Sequence, residues 1–254
     1  QRTLNLNWST RFDICLGVAR GLAYLHEESR LRIVHRDVKA SNILLDSNLI
    51  PKISDFGLAK LYDENKTHIS THVAGTIGYL APEYAMRGHL TEKTDVFAFG
   101  IVALEMVSGR RNSDSSLEEE KTYLLQWAWQ LHENNHEVDL VDSNLSEFNE
   151  EEVQRVIGVS LLCIQAPPIL RPSMSRVVAM LLGDIELSTV TSKPGYLTDW
   201  KFDGPTSLSS DVAARRTSSI YYDSSESTRM VGNIDNSPAS ASKPMLGMTV
   251  KEGR

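Results

Sequence analysis

The sequence has no long hydrophobic run and no excess of positive charge, and each absence excludes a class of protein. No apolar run approaches the roughly 18 to 20 residues that a membrane span needs, and no signal peptide stands at the start. As given, the chain is expected to be soluble. The formal net charge of -7 argues against a nucleic-acid partner, because a surface that binds a phosphate backbone is normally basic.

Cysteine is also scarce, and this bears on the redox compartment. The two cysteines, Cys15 and Cys163, lie within apolar helical patterns. We expect buried thiols in a reducing compartment rather than a disulfide or a metal site. The chain of 254 residues is 41% hydrophobic, which is enough for one large core with residues to spare.

Two polar stretches stand out between short apolar segments. Residues 34–45 read VHRDVKASNILL, and residues 52–57 read KISDFG. The apolar residues at 33–34, 43–45 and 53 predict short, mostly buried strands, so the polar residues fall on the connecting loops. Loops that are held by rigid neighbours commonly carry catalytic groups.

These loops contain the groups that phosphoryl transfer requires. The reaction needs a carboxylate near the attacking hydroxyl, oxygen ligands for Mg²⁺ and a cation against the phosphate oxygens. Asp37, Asn42, Asp55 and Lys39 match that requirement. The alternative is that the two aspartates are ordinary turn residues.

The two stretches resemble the catalytic loop and the Asp-Phe-Gly motif of eukaryotic protein kinases. The resemblance implies that Asp37 is the catalytic base and that Lys39 contacts the transferred phosphate. It also implies that Asn42 and Asp55 bind Mg²⁺ or Mn²⁺, so that Lys39, Asn42 and Asp55 together bind the cofactor ATP and its metal.

A third motif, GTIGYLAPEY at residues 75–84, resembles the segment where kinases bind their substrate. Lys39 together with Thr76 is the pattern of kinases that act on serine or threonine. By the same resemblance, Glu83 forms a structural ion pair with Arg171, and Asp95 joins the start of a central helix to the backbone of the catalytic loop.

The hydroxyl-rich stretch between Asp55 and Glu83 occupies the place of a kinase activation loop. It shows no helical or strand period from residue 61 to residue 76, and a plain solvated loop is the alternative. The candidates for phosphorylation are Thr67, Ser70, Thr71 and Thr76. We hypothesise that a phosphate on one of the first three pairs with Arg36, since it adds a charge of about -1.5 to -2.

Helical periodicity predicts a mainly α-helical fold, with a buried central helix through residues 96–107. The other helices are expected to start after Asn7, near Tyr123, after Asn149 and after Ser173. Residues 1–184 resemble the helical C-lobe of a kinase domain with short strands around the catalytic loop. Residues 185–254 are rich in serine and threonine and are expected to be a disordered tail.

The sequence shows no glycine-rich phosphate loop, no strand lysine and no partner glutamate, all of which the smaller kinase lobe supplies. Two interpretations therefore remain open. In the first, the chain is part of a Ser/Thr kinase that needs preceding sequence for activity. In the second, it is a non-catalytic interaction module that is regulated by phosphorylation.

The motifs ARGLAYLH, SNILLD and GTIGYLAPEY, at residues 19–26, 41–46 and 75–84, resemble plant receptor-like kinases, especially those with leucine-rich-repeat and malectin-like exteriors. The resemblance implies a protein substrate and a co-receptor kinase as partners. It also implies a place on the cytoplasmic side of the plasma membrane, within a longer single-pass receptor. A complete chain would instead be a soluble cytoplasmic protein.

Overall fold

A long buried helix, α3 (Glu92–Ser108), lies at the centre of the structure, and every residue from Thr94 to its end is buried. This confirms the predicted all-round apolar helix. The Thr91 side chain accepts a hydrogen bond from the Lys93 N–H at its start, and Gly109 ends it with a φ of 64°. The first turn of α3 is thereby fixed in the interior of the protein.

A computed structural model describes residues 5–62 and 69–194, and further α-helices in these ranges surround α3. The side chains of Asn7, Asn149 and Ser173 cap three of them, as predicted. The mainly α-helical fold class is confirmed. The helices are α1 (Trp8–Ala23), which continues into a π-helical turn (Tyr24–Glu28), α2 (Pro82–Arg87), α4 (Leu124–Glu133), α5 (Glu150–Cys163) and α6 (Met174–Leu182).

The core forms where α3 packs against α5 and where α1 packs against α6. Helices α3 and α5 approach closely at Gly100, where an added Cβ would lie 2.9 Å from the Ser160 carbonyl oxygen. Cys15 and Cys163 are buried free thiols, as predicted, and burial raises the pKa of Cys15 to about 12.

Short antiparallel strand pairs present the polar loops. The register pairs Ile33 with Leu61, Ile43 with Ile53, and Ile69 with Leu90. The strands are β1 (Ile33–Val34) with β4 (Lys60–Leu61), β2 (Ile43–Leu45) with β3 (Pro51–Ile53), and β5 (Ile69–Ser70) with β6 (His89–Leu90).

Two details of the strand predictions were wrong. The strands are not mostly buried, because β3 packs on α1 while Leu44 of β2 is 54% exposed. The hydroxyl-rich stretch also contains strand β5, which was not predicted. Two residues are too few to show a period of two in the sequence.

The segment that follows α6 corrects the predicted start of the tail. Residues 185–194 contain no helix, yet Pro194 forms an antiparallel bridge with Gln165, and Val190 packs against the core. The prediction of disorder from residue 185 was therefore wrong for these ten residues, because long-range contacts hold them. The rest of the predicted tail lies outside the described residues.

Within the described ranges, no helix has both the length and the apolar character that a membrane span requires.

Replacing a helical glycine by alanine should affect stability differently at two positions, Gly100 on α3 and Gly158 on α5. An added methyl group at Gly100 meets the Cys163 Cβ at 2.8 Å and the Ser160 backbone, neither of which can rotate away. We expect Gly100→Ala to lower the free energy of unfolding by about 1–3 kcal/mol.

The matched control is Gly158→Ala on α5, where an added Cβ meets only the Leu187 side chain, at 2.8 Å. Leu187 is 39% exposed and can rotate, and alanine favours a helix by up to about 1 kcal/mol over glycine. Chemical denaturation measures both variants. Equal stability of the two variants would contradict the packing argument.

Candidate active site

The first turn of α3 holds the backbone of the loop that connects β1 to β2. The Asp95 carboxylate is 1% exposed and accepts hydrogen bonds from the backbone N–H groups of His35, at 2.7 Å, and Arg36, at 2.8 Å. The His26 Nε2 lies 2.9 Å from the same carboxylate. Arg36 has a φ of 72°, a conformation that costs energy for a residue with a side chain. The two hydrogen bonds that this buried carboxylate accepts hold the loop in this conformation.

Asp37, Lys39 and Thr76 form a closed triangle of polar contacts. The Lys39 ammonium lies 2.8 Å from Asp37 Oδ2 and donates to Thr76 Oγ1 at 2.8 Å. The Thr76 hydroxyl donates to Asp37 Oδ1 at 2.6 Å. Asn42 completes the arrangement, since its Nδ2 donates to the Asp37 carbonyl and carboxylate at 2.9 and 3.1 Å. A buried carboxylate and a partly exposed cation are thus fixed side by side.

Asp55 lies on the neighbouring loop, which is attached to Asn42. The Ser54 N–H and hydroxyl both donate to the Asn42 carbonyl, at 2.9 and 2.8 Å. The His35 ring supports the same loop, with its Nε2 3.0 Å from the Ser54 carbonyl and its centre 4.8 Å from the centre of the Phe56 ring in a T-shaped contact. Asp55 itself is exposed and has a φ of 64°.

The segment around Thr76 is anchored at both ends. Before Thr76, the buried Arg36 side chain donates to the carbonyls of His72 and Leu58, at 2.8 and 3.0 Å, and it also donates to the Tyr84 hydroxyl. At the other end, both Glu83 oxygens accept from the 1% exposed Arg171, at 2.7 and 2.9 Å. The structure therefore brings together the two residues that were expected to pair.

The family model described as "Protein kinase domain" matches residues 3–181. The chain belongs to the protein kinase family.

Similar kinases from Arabidopsis thaliana refine this assignment. Two probable LRR receptor-like serine/threonine-protein kinases are 67% and 64% identical over the whole of this chain. Cold-responsive protein kinase 1 is 51% identical over 94% of the chain, which covers 63% of that protein. The predicted resemblance to plant receptor-like Ser/Thr kinases is confirmed. The chain spans about a quarter of the length of the first two relatives, 24% in each case.

The four candidates for phosphorylation differ in their surroundings. Thr67 lies outside the described residues, as does the side chain of Ser70. Thr71 is half-buried, and Thr76 is engaged with Asp37 and Lys39.

Arg36 is 7% exposed, and among the described residues no carboxylate pairs with its guanidinium, although the Asp95 carboxylate accepts from its backbone N–H. Its guanidinium donates only to neutral oxygens, namely the Tyr84 hydroxyl and the carbonyls of Leu58 and His72. A phosphate on the loop would compete with these acceptors for the guanidinium.

The supporting roles of His35, Ser54 and Tyr84 were not predicted from the sequence. Tyr84 is fully buried, and its hydroxyl accepts from the Ala74 N–H at 2.9 Å and donates to the His72 carbonyl at 3.1 Å. The one feature of the sequence that pointed to these residues was their position, because all three lie inside or beside a recognised motif.

The residues present fit a hard divalent cation. Asn42 uses its Nδ2 on Asp37, which leaves its amide oxygen for a ligand, and the Asp55 carboxylate accepts only a long hydrogen bond of 3.4 Å from the Gly57 N–H. Among the residues that can be described, no group of three or more His, Cys, Asp or Glu side chains is placed to hold a metal. This donor set suits Mg²⁺, which keeps several waters and shares phosphate oxygens with its nucleotide.

A buried carboxylate on α3 supports the middle of the segment at residues 75–84. Glu105 is 5% exposed, and its Oε1 accepts from the Tyr79 hydroxyl at 2.8 Å and the Asn112 N–H at 2.7 Å. The Asn112 side chain donates to the Gly78 carbonyl at 2.7 Å. Glu105 Oε2 is buried and has no hydrogen-bond partner among the described residues. Burial raises the pKa of Glu105 to about 7.

This carboxylate predicts a pH dependence of stability. The folded-state pKa of Glu105 lies above its ordinary value of 4.5, so the unfolded chain loses this proton at lower pH than the folded protein does. The free energy of unfolding therefore falls as the pH rises from about 5 to about 8. We expect Glu105→Gln, which cannot ionise, to lose less stability over this range, by on the order of 1–3 kcal/mol.

Denaturant unfolding at several pH values measures the effect, and Glu120→Gln at an exposed site is the control. The same slope of stability against pH in the parent and in the Glu105 variant would refute the assignment.

Proposed function

We propose that this chain supplies the catalytic and substrate-binding lobe of a protein kinase that transfers the γ-phosphate of ATP to serine or threonine hydroxyls. The observation that carries the proposal is the triangle of Asp37, Lys39 and Thr76, in which all three contacts are between 2.6 and 2.8 Å. It places a proton acceptor beside a fixed cation at the edge of the substrate-binding segment.

Each residue has a defined task in this proposal. Asp37 accepts a hydrogen bond from the substrate hydroxyl and orients its oxygen, while Lys39 neutralises charge on the phosphate that is being transferred. Asn42 and Asp55 hold Mg²⁺, or Mn²⁺ in its place. When bound, the metal neutralises charge on the phosphates of ATP. Thr76 fixes Lys39 against Asp37, which favours serine and threonine as substrates.

Two exposed apolar side chains beside the site support the need for a second lobe. Leu44 is 54% exposed and Phe56 is 44% exposed, and both lie next to the residues proposed to bind the metal. We propose that a smaller lobe, encoded by preceding sequence, covers them and completes the ATP site. The glycine-rich loop and strand lysine that it would supply are absent from this sequence.

The relatives suggest the cellular setting. Their names describe LRR receptor-like serine/threonine-protein kinases. The proposal therefore includes a protein substrate, a co-receptor kinase as partner, and a place on the cytoplasmic side of the membrane within a longer receptor.

The proposal predicts the effect of removing either carboxylate. In a chain that joins this lobe to the preceding lobe, Asp37→Asn should lower kcat by roughly 10²- to 10⁴-fold, because a positioned proton acceptor is lost. Asp55→Asn should raise the Mg²⁺ concentration needed for half-maximal rate. Mass spectrometry of a phosphorylated peptide gives the rates, and thermal unfolding shows whether each variant is folded.

The matched control is Asp13→Asn, at an exposed position on α1, which should leave the rate unchanged. Near-normal rates in both site variants would refute the assignment. If the chain that contains both lobes transfers no phosphate at all, the interpretation as a non-catalytic interaction module gains support.

A further inference from the structure

Residues 185–194, which we call the strap, run from the end of α6 across α5 to the end of α4. Leu187 packs over Gly158 of α5, and Val190 reaches the core. At its far end the Lys193 ammonium lies 2.8 Å from Glu133 and 6.0 Å from the Trp129 ring centre. The strap is therefore held at several points, although it forms no helix.

The central contact of the strap is between Thr191 and a buried amide. Gln165 is 2% exposed, and its Oε1 accepts from both the N–H and the hydroxyl of Thr191, each at 3.2 Å. Its Nε2 donates to the carbonyls of Leu162 and Leu170, at 3.3 and 3.1 Å. Among the described residues, only the strap provides donors to the Gln165 side-chain oxygen.

Two neighbouring residues, Gln165 and Ala166, bind both the strap and Arg171. The Gln165 carbonyl accepts from Arg171 Nε at 2.7 Å, and the Ala166 carbonyl accepts from Nη2 at 3.0 Å. The Ala166 N–H donates to the Lys193 carbonyl at 3.2 Å. The remaining Arg171 donors go to Glu83 and to the Lys93 carbonyl. The strap thus fixes two of the acceptors that orient Arg171 toward Glu83, at the start of α2.

We propose that Thr191 is a phosphorylation site, and that phosphate at this position releases the strap and loosens the Arg171–Glu83 anchor of the substrate-binding segment. Thr191 is exposed and lies outside the helices and strands, so a kinase can reach its hydroxyl. A phosphothreonine no longer donates through Oγ1, and its anionic oxygens repel Gln165 Oε1. Rotation of the amide does not relieve this, because it would turn the oxygen toward the Leu162 and Leu170 carbonyls.

One charged pair near Thr191 could also hold the strap in place. Lys193 is two residues away, and its ammonium is already paired with Glu133. Because both side chains are about half exposed, with 49% and 45% relative exposure, solvent screens them, and the pair gives little hold on the strap.

The modification is a phosphoryl transfer. Thr191 Oγ1 forms a bond to the γ-phosphorus of ATP, the bond from that phosphorus to the bridging oxygen breaks, ADP leaves, and the hydroxyl proton passes to a base. As a self-modification, this step rests on the proposed kinase function. The structural effect of the phosphate does not, since another Ser/Thr kinase can supply it.

The first test separates the effect of the phosphate from kinase activity. Phosphothreonine is incorporated at position 191 of the 254-residue chain, and amide hydrogen exchange is followed in α2 and in residues 164–172. We expect exchange roughly tenfold faster than in the unmodified chain, because a buried acceptor has lost its donors. Phosphoserine at Ser188, an exposed strap residue with no side-chain hydrogen bond in the described structure, is the control and should change neither region.

A second variant distinguishes the effect of the phosphate from general unfolding. Thr191→Val removes the hydroxyl donor but adds no charge, so exchange in the same two regions should rise less than with phosphate. Unchanged exchange with phosphothreonine at 191, or an equal rise throughout α1 and α5, would overturn the proposed coupling.

The second test asks whether the site is used. Phosphopeptides from an active chain that contains both lobes are mapped by mass spectrometry, with the inactive Asp37→Asn variant as reference. Phosphate at Thr191 in the active chain supports the proposal. Transfer to other residues with Thr191 unmodified would overturn self-modification at this site, whereas the absence of all transfer would refute the proposed function instead.

Discussion

The structure depends on one buried carboxylate. Asp95, in the first turn of the central helix, accepts two backbone N–H groups from the loop that carries Asp37. A carboxylate that is 1% exposed must have such partners, because an unpaired buried charge is costly. The buried central helix is thereby connected to the candidate active site, and the positive φ of Arg36 is maintained.

Residues of this loop also contact two neighbouring segments. His35 contacts the loop of Asp55 through the Ser54 carbonyl and the Phe56 ring. Arg36 contacts the segment that contains Thr76 through Tyr84 and the His72 carbonyl. Consecutive residues of one loop thus organise the proposed metal-binding side and the substrate side of the site. Arg171 fixes the other end of the substrate side from a position that is fully buried.

The residues of the candidate site were found from the sequence because they lie in short motifs whose order and spacing are informative. The capped helices were also predictable, since Asn7, Asn149 and Ser173 precede clear helical periods. Contacts between distant parts of the chain were not predictable in this way. Glu105 appeared as one polar residue in an apolar helix, and its bond to Tyr79 depends on how two segments pack. The strap had no period at all, so its composition indicated disorder although Thr191 and Val190 make long-range contacts.

The central claim is that Lys39, held against Asp37 by Thr76, makes this lobe part of a kinase for serine and threonine. The most direct test measures phosphate transfer from Mg²⁺-ATP to three peptides that differ only in carrying serine, threonine or tyrosine at one position. The enzyme is a chain that contains this lobe and the preceding lobe. The account predicts transfer to serine and threonine and little to tyrosine. Equal transfer to tyrosine would contradict it.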